Sequence, residues 1–235
     1  MGLFHSLRTP PRLTRCDWAL ALLPAILWYL TIEARPHLIR TWCSDPGARC
    51  TANAVAWPDR LAIRPINDTA DGVSFIGQYA AGALALAGPP AARALRLVPG
   101  PMTWTTLGTD AVILLETVLW NGLTTEAVRQ AVSRPRPFVY RVPEASANPA
   151  NYISFYSGHS SFAAAAGACL IVTLAARGLA GLPLAGFSAA SVLLALVTAA
   201  GRVVAGRHFP TDAAAGLIAG VLVALTVARI HRKRY

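Results

Sequence analysis

Six stretches of mostly apolar sequence dominate the chain, near residues 16–33, 72–90, 105–126, 159–177, 181–201 and 211–230. Each approaches the roughly 20 residues that a helix needs to cross about 30 Å of hydrocarbon. In lipid such a segment satisfies its own backbone polar groups only as a helix, so the predicted fold is all-α, a bundle of six transmembrane helices. Composition agrees: 54% of the 235 residues are hydrophobic, 14% are charged and mean hydropathy is +0.46, too apolar for a soluble domain of this length. The first stretch contains Pro24, places Trp18, Trp28 and Tyr29 at headgroup-like positions, and is followed by no small-x-small cleavage pattern. It reads as a retained anchor rather than a signal peptide. With no internal repeat and no shift in composition, residues 1–235 read as a single integral membrane domain.

The net charge of +10 comes from 20 arginines and Lys233 against 11 acidic residues. That balance suits anionic lipid or phosphate partners. The arginines are scattered between apolar segments without a basic stripe of interleaved aromatics, which argues against nucleic acid. Arg8, Arg12 and Arg15 precede the first stretch, Arg93, Arg96 and Arg177 fall in alternate loops, and Arg229, Arg232, Lys233 and Arg234 close the chain. Six crossings with both ends cytoplasmic put all of these inside. Cys43 and Cys50 then share the first outer loop, where either a small-loop disulfide or two free thiols would fit. Cys16 and Cys169 read as packing residues, and the four cysteines make no zinc site.

Three polar clusters break the apolar pattern on that outer side. "RQAVSRPRPF", residues 129–138, carries two Arg-Pro pairs that hold the backbone extended and present guanidinium forks suited to phosphate oxygens. "YSGHSSF", residues 156–162, places Ser157, Gly158 and His159 at a helix start, where free N–H groups favour an anion and histidine exchanges protons near neutral pH. "GRVVAGRHFPTD", residues 201–212, sets Arg202 six residues before His208 and Asp212 four residues after it, with Pro210 suited to a first helical turn. A carboxylate so placed would hold one imidazole nitrogen and leave the other as a nucleophile. Singly, each cluster has a structural reading as a basic turn, a helix start or a cap.

In order and spacing the clusters resemble the signature motifs of the type 2 phosphatidic acid phosphatase superfamily, membrane lipid phosphatases related to vanadium haloperoxidases. The family pattern is Lys-x6-Arg-Pro, Pro-Ser-Gly-His and Ser-Arg-x5-His-x3-Asp. It is met here by Arg129-x6-Arg136-Pro137, Tyr156-Ser157-Gly158-His159 and Gly201-Arg202-x5-His208-x3-Asp212. The resemblance covers residues 70–230, and it departs from the pattern at Arg129, Tyr156 and Gly201. It implies hydrolysis of a lipid phosphate or diphosphate: His208 attacks phosphorus, Asp212 fixes its tautomer and His159 protonates the leaving oxygen. Arg129, Arg136, Arg202, Ser157 and the Gly158 amide would neutralise the phosphate oxygens.

No cofactor or metal is implied, and no carboxylate cluster is present to hold magnesium. The expected partners are a membrane and a lipid phosphate substrate within it, with the site facing the periplasm of a bacterial inner membrane. Phosphotransfer from a polyprenyl diphosphate to another lipid is the alternative enzyme reading. A lipid-binding or transport subunit is the non-enzyme reading, and it leaves His208 and Asp212 without a role. Asp110 and Glu116, inside the third stretch, read as structural groups paired with Arg129 or with a polar group on another helix. The polar loop 34–71 has no assigned role.

Overall fold

The computed structural model of the chain describes residues 15–44, 50–100 and 103–233. Arg8, Arg12 and Arg234 of the arginine count lie outside the described residues, as does the side chain of Cys16. Eight α-helices and no strand occur among the described residues: α1 (Arg15–Glu33), α2 (Arg35–Leu38), α3 (Trp57–Arg60), α4 (Asp68–Ala94), α5 (Trp104–Val132), α6 (Gly158–Ala176), α7 (Gly181–Val204) and α8 (Pro210–Lys233). Six of them are long and coincide with the six apolar stretches. The segments Trp104–Tyr140, Gly158–Ala176, Gly181–Val204 and Pro210–His231 are long and apolar enough to cross a membrane. They mark the chain as an integral membrane protein.

Local chemistry fixes the helix starts. Asn67 accepts from the Ala70 amide at 3.0 Å to cap α4, and Thr103 with Thr106 forms a reciprocal capping box on α5. Ser157 caps α6 through the Ser160 amide. α5 ends where Ser133 turns left-handed at φ 46°, which frees the Arg-Pro segment to run extended toward the site.

α6 is the central helix and packs against α4, α5, α7 and α8, most extensively against α8. Its run Ala163–Ala166 is buried, and these small side chains let neighbouring backbones approach closely. Gly216 and Gly220 of α8 form a Gly-x3-Gly pair at the contact. A Cβ on Gly216 would lie 2.5 Å from the Ser157 carbonyl, and one on Gly220 would overlap the Ser161 carbonyl. α1 packs on α5, leaving Leu22, Ile26, Tyr29 and Leu30 exposed, an apolar face suited to lipid.

Asp110 and Glu116 of α5 are paired, as expected, though not with Arg129. Asp110 accepts from Arg177 Nε at 3.1 Å at the end of α6, and Glu116 bonds His231 of α8 at 2.9 Å. Arg129 instead approaches Glu126, which Arg35 also holds. Cys43 and Cys50 form a disulfide in the segment after α2, and Cys169 is buried.

Candidate active site

The three motifs meet at one end of the bundle. After α7 the chain turns through Gly206 at φ 69°, and the Arg207 and His208 amides both return to the Arg202 carbonyl, at 3.1 and 3.2 Å. This turn points His208 inward, where it is fully buried. Its Nδ1 lies 2.7 Å from the Ser154 carbonyl. A carbonyl only accepts, so Nδ1 carries the proton and Nε2 carries the lone pair. Nε2 has no hydrogen-bond partner among the described residues.

The group at hydrogen-bond distance from Nδ1 is the Ser154 carbonyl, where the resemblance implied the Asp212 carboxylate. The Asp212 carboxylate stands 3.9 Å from Nδ1. Its Oδ2 accepts from the Phe209 amide at 3.0 Å and from the Ser154 hydroxyl at 2.5 Å, while Oδ1 takes Arg134. Asp212 is the third residue of α8, so reaching back to the residue before the helix is the acidic half of a capping box. That commitment turns the carboxylate away from the imidazole. The Ser154 side chain and carbonyl nevertheless join Asp212 to His208 in one buried network.

Arginines surround the imidazole. Arg129 donates from Nε to the Tyr156 carbonyl at 3.3 Å, and its guanidinium lies so close to Gly158 that a Cβ there would sit 2.6 Å from Nη2. Arg202 is held by Asp71 of α4 and by the Ser74 hydroxyl at 3.4 Å, and Arg207 shares Asp71 at 2.9 Å. The Arg136 backbone is pinned to the Asn151 carbonyl at 2.8 Å. Arg136 Nε and Arg202 Nε are buried without hydrogen-bond partners among the described residues. Burial first, then the charges of Arg136, Arg202 and Arg129, push His208 well below the ordinary histidine range. The imidazole is therefore neutral at physiological pH.

His159, second in α6, stands edge-on to Phe75 with ring centroids 4.7 Å apart, and the Arg202 guanidinium lies 5.7 Å from the centre of the same ring. The Ser157 hydroxyl oxygen accepts from the Ser160 hydroxyl at 2.9 Å, and the Ser157 amide donates to the Asp212 carbonyl at 3.0 Å. Ser157 therefore joins α6 to α8, and the Gly158 amide heads the first turn, where no intrahelical acceptor is available. No group of three or more His, Cys, Asp or Glu that would hold a metal ion occurs among the described residues.

Several site residues were not read from the sequence. Asp71, Phe75 and Asp59 come from segments more than 50 residues before the second motif, and only the folded chain brings them in. Arg134 was visible inside the first cluster, as part of an Arg-Pro pair suited to phosphate oxygens, but was given no role of its own. The Gly-x3-Gly spacing of α8 was legible as a close-packing signal. Gly201, where the family has serine, is explained by packing: a Cβ there would lie 2.9 Å from Ser74 Cβ and 3.1 Å from the Ala70 carbonyl. Ser74 occupies the space that a side chain at 201 would need.

A buried histidine with a free ring nitrogen, near several arginines at one end of a helical bundle, offers a nucleophile beside donors for anionic oxygens. The family model of the PAP2 superfamily matches residues 110–235, more than half of the chain. The protein belongs to that superfamily, whose members are phosphatases acting on phosphate esters, often those of lipids. No curated protein and no solved structure gives a significant match. Asp59, Asp71 and Phe75 lie before the matched region.

Proposed function

We propose that the protein hydrolyses a lipid phosphate or diphosphate, without a metal, through a phosphohistidine on His208. The observation that carries this reading is the His208 side chain: fully buried, protonated on Nδ1 by its bond to Ser154, and bare at Nε2. Nε2 attacks phosphorus in line with the lipid oxygen, forming the N–P bond as the P–O bond breaks. His159 donates its proton to the departing oxygen, then takes one from the water that cleaves the N–P bond and releases inorganic phosphate.

Arg129, Arg136, Arg202 and the Gly158 amide receive the equatorial oxygens, where most of the catalytic advantage of phosphoryl transfer resides. Asp212, 3.9 Å from Nδ1 and linked to the imidazole through Ser154, offsets the positive charge that develops on it. Ser157 ties α6 to α8 through its amide, and its hydroxyl, whose oxygen accepts from Ser160, keeps its proton to donate to a phosphate oxygen. Undecaprenyl diphosphate, phosphatidylglycerol phosphate, phosphatidic acid and lipid A phosphate are all within the substrate class.

The full reading has six crossings, both termini in the cytoplasm and the site at the periplasmic face of a bacterial inner membrane. The Cys43–Cys50 disulfide supports it, because a disulfide near the site end persists in an oxidising compartment. The testing experiment is phosphate release from a panel of these lipids by purified protein in detergent, beside His208→Ala. Hydrolysis that the variant lacks upholds the reading. Activity of His208→Ala within tenfold of wild type overturns it.

A further inference from the structure

The start of α8 has an unusual shortage. Phe209, the residue before the helix, has no polar side chain to accept the amides of the first turn, and Pro210 fills the first position. The acceptor comes from another part of the chain. Asp59 of α3, only 2% exposed, takes the Thr211 amide at 3.0 Å and the Thr211 hydroxyl at 2.6 Å. Its Oδ2 also takes Arg134 Nη2, at 2.7 Å. Arg134 spends its other terminal nitrogen on Asp212 and on Thr211 Oγ1 at 3.0 Å, and its guanidinium lies 4.0 Å from the centre of the Phe209 ring.

We propose that Asp59 is a positioning residue of the active site, acting through Arg134 and Asp212 on the orientation of His208. The inference rests on the phosphohistidine reading. It gives the loop 34–71 a role: the loop completes the site from outside the region that carries the family motifs.

The mechanical argument runs through one guanidinium. Arg134 is 23% exposed and is fixed from one side by Asp212 and from the other by Asp59. Without Asp59 it has one carboxylate and open solvent, and Asp212 loses a rigid partner. Asp212 Oδ2 receives the Ser154 hydroxyl, and the Ser154 carbonyl holds His208 Nδ1, so slack in Asp212 reaches the nucleophile in two steps.

The segment that carries Asp59 is itself held firmly. Arg60 donates to the Val55 carbonyl at 2.6 Å and the Asn53 carbonyl at 2.9 Å, while Val55, Ala62 and Ile63 bury against Phe209. A residue serving only as a cap would need none of the Arg134 geometry.

A double-mutant cycle in the full-length protein separates positioning from capping. The variants are Asp59→Asn, Asp59→Glu, Arg134→Ala and Asp59→Asn with Arg134→Ala, assayed by phosphate release from the lipid that wild type hydrolyses fastest. His208→Ala runs alongside, and melting temperature is measured for each. Positioning predicts that Asp59→Asn lowers kcat about 10- to 100-fold with KM within about threefold of wild type. Asp59→Glu, which keeps the charge but not the distances, falls between the two. In the Arg134→Ala background Asp59→Asn then costs less than about twofold more.

Equal fold-losses in both backgrounds mean capping alone and overturn the proposal, as does wild-type kcat in Asp59→Asn. Should Asp59→Asn fail to fold, Asp59→Glu decides, and wild-type kcat there overturns it. An inactive His208→Ala beside fully active Asp59 variants removes this inference and leaves the phosphohistidine reading intact. An active His208→Ala removes both.

Discussion

Replacing Gly158 with alanine separates the phosphate cradle from the stability of the fold. The added Cβ would lie 2.6 Å from Arg129 Nη2, 3.1 Å from Cζ and 3.3 Å from Nη1, where ordinary contact begins at 3.4 Å. The guanidinium must retreat by about 0.8 Å to restore contact distance. Gly158 is not among the glycines with positive φ, so alanine fits the backbone, and alanine in a helix is favoured over glycine by up to about 1 kcal/mol. Fold stability therefore holds or rises slightly. Catalysis does not, because a misplacement near 1 Å in a positioned group costs about 100-fold, or about 2.7 kcal/mol of transition-state stabilisation. The assay is kcat/KM for lipid phosphate hydrolysis in detergent, with melting temperature measured on the same preparation. An alanine variant that melts normally and keeps kcat/KM within threefold of wild type would refute the assignment of Arg129 to the phosphate.

Gly220→Ala forces α8 away from the Ser161 carbonyl, a backbone atom that cannot step aside, so it should lower the melting temperature and activity together. An unchanged melting temperature would show that α6 and α8 are not so closely packed. Orthovanadate should inhibit competitively while EDTA leaves activity unchanged, since an arginine cradle holds a trigonal-bipyramidal phosphate mimic; a strict magnesium requirement with vanadate insensitivity points to different chemistry. Because His208 is held below its ordinary value, the unfolded chain binds a proton that the folded protein refuses. The stability tied to its neutral form is complete above about pH 6.5 and is lost as pH falls toward the folded value, by up to about 1.4 kcal/mol per pH unit. The decline of melting temperature from about pH 7 to about pH 5 should be shallower in His208→Asn, and parallel declines contradict the burial argument.

Helix positions were largely legible because the apolar runs are long and their starts carry recognisable caps. The stretch 159–177 became Gly158–Ala176, and 211–230 became Pro210–Lys233, starting at the proline that suits a first turn. The helix of the third apolar stretch, α5, ran past its expected end at 126 to Val132. Its last turns are polar in sequence, but Glu126 is bound by Arg35, Gln130 reaches the Thr31 carbonyl and Arg129 turns into the site, so tertiary partners sustain the helix there. Within the site, motif spacing pointed to His208, His159, Asp212 and the arginines. It did not reveal that Ser154 holds the imidazole, since a backbone carbonyl has no sequence signature. Asp71 and Asp59 were hidden for another reason: each is an unremarkable acid in its own segment and gains meaning only beside Arg202 or Arg134.

The central claim is that phosphate passes through His208 Nε2, and trapping that intermediate tests it most directly. Purified protein is mixed with a lipid phosphate radiolabelled on phosphorus, quenched in alkali within one turnover, and digested. The account predicts label on the protein that is stable to base, labile to acid, located on the peptide containing His208, and absent from His208→Ala. Efficient hydrolysis with no label on the protein, or label on a peptide lacking His208, would contradict it.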